Sequence, residues 1–477
     1  MAITPTPCAQ AAADRVNPAT LVAALQAAAG QDAVLAGEQI SDKYLADWSG
    51  ERGARPLAVV RPLSTQDVSK VMAVCYEHHC PVVPQGGLTG LAGGAVPSEG
   101  AVVVSLERMN GIEEIDAASA TVTVKAGTPL QAVQEAVRDA GFFFALDLGA
   151  RGSCQIGGNL ATNAGGNRVI RYGMARDLVL GLEVVLPDGT VLSMLNKMVK
   201  NNAGPDLKGL FIGTEGTLGI ITRAVMRLHP GISGANTALV AVSSFDAAIQ
   251  LLRHAQQQLN GLVSAFEVMW DDYYTSATTV GGARAPLPAG HPLYVLIDLQ
   301  SMAPAAHAEA FEQVLEHALD AGWALDAAIA QSHAEAEDFW ALRDSIAEML
   351  SSYAPTINFD VSFPISRIGT AVEGLRRIMA TGFPGVRSMY FGHVGDGNVH
   401  IVVGPLPDDG RKTEHAIETA FYELTQSLGG SVSAEHGIGL HKKPYLHYSR
   451  SEAERALIRT MKGALDPRNI MNPGKIL

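Results

Sequence analysis

Two short stretches in the second half of this 477-residue chain carry side chains that chemistry would use. GHVGDGNVH places His393 and His400 seven positions apart, on either side of a Gly-Asp-Gly turn. Two strands joined by that turn would bring both imidazoles to one point, which suits a divalent cation that takes nitrogen ligands. SAEHGIG sets Glu435 directly before His436. Histidines at this spacing are more often structural than metal-binding, and the Glu-His pair changes that balance only if folding joins the two segments. Arg343, in FWALRDSIAEML, has the planar fork that grips a carboxylate in bidentate fashion. Its competing reading is an exposed helix arginine paired with Asp344 or Glu348.

The first half is punctuated by glycine. Residues 81–97, PVVPQGGLTGLAGGAVP, enter as a strand and then expose backbone at Gly86, Gly87, Gly90, Gly93 and Gly94. Such a loop can turn successive N–H groups toward a pyrophosphate, although a plain glycine-rich hairpin looks the same in sequence. No Gly-Lys-Ser/Thr follows, so this is not a P-loop, and it is not followed by the crossover unit, with its acidic residue about 20 positions on, that completes a dinucleotide fingerprint. Residues 149–173, GARGSCQIGGNLATNAGGNRVIRYG, mix glycines with small polar side chains. Residues 209–222, GLFIGTEGTLGIIT, are strand-like and again broken by glycine. Three such segments within about 140 residues favour one large extended cofactor over three unrelated turns.

The elements that must position these residues follow from pattern. One amphipathic helical stretch lies in the first 50 residues, NPATLVAALQAAAG, with Asn17 or Thr20 as N-cap. Short β-branched runs closed by Gly or Pro follow: LAVVRP, PVVPQGG, GAVVVSL, TVTVKAG and LEVVLPDGTVL. Between them TQDVSKVMAVCYEHH and PLQAVQEAVRDAG have helical periodicity, the second stopped by Gly141. From about residue 231, helices such as FDAAIQLLRHAQQQL and AHAEAFEQVLEHALDAG alternate with strands such as LYVLIDLQ and SMYFGHVG. Residues 413–477 turn helical again apart from VSAEHGIG. The expected division is an N-terminal helical segment 1–50, a cofactor domain 51–230, a substrate or cap domain 231–412 and a returning segment 413–477. CYEHHC (Cys75 to Cys80) reads as structural, since four ligands within six residues cannot easily surround one ion. Met461, Leu465 and Ile470 read as core.

The order PVVPQGGLTG, GGNLATNAGG, GTEGTLGIIT resembles the FAD-binding domain of the vanillyl-alcohol-oxidase-like flavoproteins. The likeness continues through FGHVGDGNVH, SAEHGIG and NPGK into the D-2-hydroxyacid dehydrogenase branch, which includes D-2-hydroxyglutarate and D-lactate dehydrogenases, and covers about residues 40–477. It implies an α+β fold with a PCMH-type FAD domain, an α+β cap domain and a helical C-terminal segment. On the resemblance, FAD is held by Pro84, Gly86, Gly87, Thr89, Gly90, Gly152, Ser153, Gly157, Gly158, Asn159, Thr162, Asn163, Gly165, Gly219 and Ile220, with Asn472 and Lys475 bringing the tail back to the flavin. It implies a divalent cation on His393, His400 and Glu435, with Zn²⁺ the expected ion and Mn²⁺ or Co²⁺ as alternatives, His436 as catalytic base, and Arg343 and Asn358 at the substrate. Relatives that bind flavin covalently often carry His just after the first Gly-Gly. Leu88 stands there and Cys154 is the only substitute, so non-covalent FAD is expected.

The implied reaction is oxidation of a D-2-hydroxy acid, D-2-hydroxyglutarate first, with D-lactate or another small or apolar acid as the alternative. Three positions depart from the D-2-hydroxyglutarate members: Ala347 where they have Thr, Asn358 where they have Lys, and Val402 where they have Asn. Each departure removes a polar contact to a distal carboxylate. Electrons are expected to pass to an electron-transfer flavoprotein or a quinone rather than NAD. An oxidase, or a non-catalytic FAD subunit of a larger complex, is the rival reading. A homodimer is the expected assembly, if any.

Composition excludes other classes. With 35 Lys+Arg against 48 Asp+Glu the chain carries −13 formal charges and no basic run, which argues against nucleic acid as a partner. Hydrophobic residues at 47% supply large cores. No apolar run reaches the length of about 18 residues that a membrane helix needs. Four cysteines cannot build a disulfide framework, and the first residues lack the basic and apolar regions of a signal peptide, so a cytoplasmic protein is the expectation.

Overall fold

The structure, a computed structural model, describes residues 17–409 and 411–477. The signal-peptide reading and Cys8 concern residues outside that range.

The first half builds two main sheets and a two-stranded pairing of Phe142–Phe143 with His229–Pro230. In the smaller main sheet, Val34–Ala36, Ala58–Val60, Val102–Ser105 and Val82–Gln85 lie in that order, the last three parallel. Ala58–Val60 and Val102–Ser105 are buried on both faces, as parallel strands must be, and this is why they read as unbroken apolar runs. Thr65–Glu77 packs beside them, opened by a capping box between Ser64 and Asp67. The first 50 residues therefore supply more than a helix. Pro18–Ala29, capped by Asn17, is followed by Val34–Ala36, which joins the sheet through Ala58–Val60. A three-residue strand is too short to show a period-two pattern.

The second sheet is antiparallel, in the order Ile112–Asp116, Thr121–Lys125, Ile220–Arg227, Val179–Val185, Val191–Met194. One of the two later glycine segments differs from its sequence reading. Residues 149–173 hold a short helix, Ile156–Ala161. Residues 209–222 become strand only from Ile220, because Gly213, Glu215 and Gly216 take φ of 81°, 51° and 72°, a left-handed conformation that no strand accommodates.

The second half forms one seven-stranded antiparallel sheet: Ala324–Ile329, Gly234–Val242, Leu293–Ser301, Val263–Trp270, Arg387–Gly392, Asn398–Gly404, Ile357–Ser362. Side chains alternate between two cores. Ala238, Val240 and Val242 face helices Phe245–Gln258, Pro304–Asp320, Ile368–Gly382 and Lys412–Ser427. Leu239, Ala241, Met269, Met389, Phe391 and Val402 face the other way, beneath Asp271–Thr279, His333–Asp344 and Ile346–Leu350. This second face carries the candidate site. The C-terminal helix Glu452–Leu465 leads to a tail that returns to the first half, where Val82 donates its N–H to Ile470 O (2.7 Å) and accepts from Asn472 N (2.7 Å).

Candidate active site

Strand register assembles the first part of the site. On the covered face of the large sheet His400 lies opposite both Phe391 and Asp360 on its two neighbouring strands. His393 follows directly after the strand Arg387–Gly392, where the chain turns through Val394–Asp396 before re-entering as Asn398–Gly404. Gly397, at φ 96°, makes that turn; an added Cβ would stand 2.7 Å from Phe363 O. Glu435 and His436 arrive on the loop after Lys412–Ser427. One ligand atom each from His393, His400 and Glu435 lies within 4.8 Å of the others, and Asp360, His400 and His436 make a second such group that shares His400.

Two buried carboxylates hold these groups in place. Glu267, 1% exposed, accepts from His393 Nδ1 (2.7 Å) through one oxygen and from Arg343 Nε (2.8 Å) through the other. A carboxylate on Nδ1 orients a histidine so that Nε2 is the free donor atom. Burial alone would raise the Glu267 carboxyl, but the facing His393 and Arg343 charges outweigh it and hold it at about 2. In return His393, which burial alone would lower, is raised to about 9 by Glu267. Asp360 is fully buried. Its Oδ2 accepts the N–H groups of Ala434 (3.1 Å), Glu435 (2.9 Å) and His436 (2.8 Å), and Lys442 Nζ stands 3.4 Å away. Its Oδ1 accepts from Asn398 Nδ2 (2.9 Å). Against the upward push of burial, His436, Lys442 and His400 hold its carboxyl well below the usual range. Thus a single aspartate fixes the Glu435-His436 backbone over His400. Burial also lowers His436, which favours its neutral form.

Arg343 is 6% exposed and lies at the end of the helix His333–Asp344. Its contact with Asp344 exists at 3.5 Å, yet the buried guanidinium points at the site, with Nη2 3.4 Å from His393 Nε2. The exposed-helix reading does not hold.

One cavity of about 1720 Å³ joins this cluster to the glycine segments. Arg343, Asn358, His393, His400, Glu435 and His436 line it, together with Pro84, Gly86, Gly87, Thr89, Gly90, Gly152, Gly157, Gly158, Asn159, Thr162, Gly165, Gly219 and Ile220. The N–H groups of Gly87, Leu88, Thr89 and Gly90 take no hydrogen bond among the described residues, and Gln155 Oε1 and Asn159 Nδ2 are buried without a partner. Unpaired donors along a glycine-walled cavity fit an anionic nucleotide. Three expected residues do not line it. Ser153 gives its carbonyl to close packing, where a Cβ on Gly87 would stand only 2.0 Å from it. Asn163, at φ 52°, accepts from Arg176 N (3.0 Å) and shapes the turn. Asn472 donates to Gly94 O (2.9 Å) and Glu215 O (2.7 Å), so it ties the tail to the first glycine loop from behind. Lys475 does likewise at Val96 O (2.8 Å). Sequence reasoning missed Glu267 and Gln155 and gave Asp360 no role. Glu267 sits in an ordinary-looking strand, VSAFEVMW, whose acid is anomalous only because every other residue there is apolar or small.

Comparison with known proteins agrees with this construction. The family described as FAD linked oxidases, C-terminal domain, matches residues 233–476, and an FAD binding domain matches residues 56–194. The chain belongs to the FAD-linked oxidase family, on a vanillyl-alcohol-oxidase-type α+β fold. Among its relatives, the D-2-hydroxyglutarate dehydrogenase of Xanthomonas citri pv. viticola is 41% identical over 440 residues, 91% of this chain and 92% of that protein. The mitochondrial D-2-hydroxyglutarate dehydrogenase of Bos taurus is 39% identical over 90% of this chain and 78% of its own length. Among solved structures, p-cresol methylhydroxylase with substrate bound superposes with a TM-score of 0.75 at 17% identity, covering 96% of each chain. An alkyldihydroxyacetonephosphate synthase gives 0.72 at 18%, covering 95% of this chain and 84% of that one. These two share the fold. No described helix is long and apolar enough to cross a membrane.

Proposed function

We propose that this FAD-linked enzyme oxidises a D-2-hydroxy acid to the 2-oxo acid with the help of a divalent cation held by His393, His400 and Glu435. The observation that carries the proposal is the convergence of those three side chains within 4.8 Å on the same cavity as the glycine segments and Arg343. The relatives' names make D-2-hydroxyglutarate the first acid to test.

When bound, FAD supplies a two-electron acceptor and the cation a Lewis acid for the substrate oxygens. Two imidazoles and one carboxylate are the ligand set of Zn²⁺ sites that keep a position open. The protein's own residues do the rest. Arg343, its Nε committed to Glu267, offers its Nη atoms to the substrate carboxylate and so orients Cα. Oxidation removes a hydride from Cα and a proton from the hydroxyl. His436 takes that proton at Nε2, since Nδ1 is the nitrogen turned toward Asp360 (3.8 Å). Burial keeps His436 neutral beforehand, and the Asp360 carboxylate stabilises the imidazolium that results. Leu88 and the buried, burial-raised Cys154 thiol support non-covalent FAD.

The test is anaerobic mixing of purified holoprotein with D- and L-2-hydroxy acids, before and after chelation and with metal restored. The expected result is loss of the oxidised flavin band with D-acids only, slowed at least about 100-fold by chelation and recovered with Zn²⁺, Mn²⁺ or Co²⁺. Unchanged reduction by metal-free protein would overturn the metal role. Peroxide formation under air distinguishes an oxidase from a dehydrogenase that passes electrons to a flavoprotein or quinone.

A further inference from the structure

The large sheet sets out, row by row, what lies beyond the donor cluster. The row Phe391, His400, Asp360 is followed along the strands by Met389, Val402 and Asn358, which are mutually paired on the same face. Two residues along a strand is about 6.6 Å, which a side chain extending about 3.9 Å from the reacting carbon bridges with one van der Waals contact of about 3.5–4.0 Å. From the facing helix, Ile346, Ala347 and Leu350 line the same end of the cavity, three, four and seven positions after Arg343. Ala347 and Asn358 line the cavity and are exposed, so this end is open rather than filled by protein.

We propose that the substrate's side chain is uncharged and apolar, longer than a methyl group, and seated on Val402, Asn358, Ala347 and Leu350. This rests on the 2-hydroxy-acid reading of the same site. The charges decide it. Arg343 serves one carboxylate, the one next to the hydroxyl. The other cations that line the cavity are engaged elsewhere: Arg151 with Asp147 (3.1 Å), Arg411 with Glu414 (2.7 Å), and Lys442 on Asp360. Beside Arg343 stands an anion, Asp344. A second substrate carboxylate would meet a valine, an alanine, a leucine and one neutral amide, with no free arginine or lysine to receive it, so it gains no charge partner in place of the water it displaces. An apolar side chain gains from the same surface. A methyl, as in lactate, stops short of the second row and leaves it unfilled.

The experiment measures the rate and half-saturation of anaerobic flavin reduction in the full-length holoprotein with D-2-hydroxy-4-methylpentanoate, D-lactate and D-2-hydroxyglutarate. The ratio of limiting rate to half-saturation should favour D-2-hydroxy-4-methylpentanoate over D-2-hydroxyglutarate by about 100-fold, with D-lactate between. Asn358→Lys, placing a cation in the second row, should narrow that gap at least about tenfold by improving the dicarboxylate. Parity or preference for D-2-hydroxyglutarate in the unmodified protein overturns the proposal while leaving the reaction class intact. If no D-2-hydroxy acid reduces the flavin, the reaction class falls as well.

Discussion

Substituting Glu267 by Gln removes one charge and almost no volume, so it isolates what the carboxylate does. In the metal-free protein Glu267 is held at about 2 against an ordinary 4.5, which at neutral pH corresponds to about 3 kcal/mol of stabilisation. A buried ion pair broken on one side costs a similar amount, about 3–5 kcal/mol, because Arg343 would keep its charge at 6% exposure with only the more distant carboxylate of Asp344 (3.5 Å) beside it. Glu267→Gln should therefore lower the urea midpoint of metal-free protein at pH 7.5 by an amount equal to about 3 kcal/mol. It should also weaken metal binding about 10–100-fold in a chelator competition, since an amide no longer fixes His393 with Nε2 toward the cluster. Flavin content should stay full, because Glu267 does not line the cavity. A variant with unchanged metal affinity and a midpoint within about 0.5 kcal/mol of the parent would refute the reasoning, since that is the scatter of substitutions that break nothing.

Other substitutions probe separate links. Gly165→Ala puts a methyl 2.5 Å from Glu435 Oε1, and the carboxylate must move away, so metal bound per protein, read by elemental analysis after desalting, should drop. Arg343→Lys keeps the charge but loses the fork and should raise the half-saturation for substrate by about tenfold or more, read from flavin reduction. Asp272 is raised to about 6 by burial despite its partner Arg376. An acid whose folded value lies above its unfolded one binds more protons when folded, so its contribution falls as pH rises from 3.8 and is fully lost above about 6. Between pH 5 and 7.5 the parent should therefore lose about 1 kcal/mol relative to Asp272→Asn in paired unfolding curves, and a pH-independent difference would contradict it.

What could be read from the sequence was local. His393 and His400 announce themselves because a turn of fixed length joins them, and the strand runs are legible because burial on both faces leaves nothing but β-branched and small residues. Arg343 was legible only through resemblance, since a helix arginine beside Asp344 is ordinary in itself. Glu267 and Asp360 act across 126 and 76 positions, through His393 and His436, and no window on the chain spans such a separation. Ser153, Asn163 and Asn472 stand outside the cavity lining for the opposite reason. Small polar residues among glycines serve the turn itself as readily as a ligand, and the choice depends on which way the backbone is wound at each one.

The returning tail has a consequence for how the molecule is put together. Ile470, Met471 and Asn472 pair with the strand that opens the first glycine loop, so the cofactor half is finished by residues nearly 400 positions further along the chain. A fragment ending near residue 232 would hold every glycine segment yet lack the latch behind them. Nucleotide capture should thus wait for residues 470–472, and breaking their pairing with Val82 and Gly94 should empty the enzyme of its yellow colour before it disturbs the distant donor cluster.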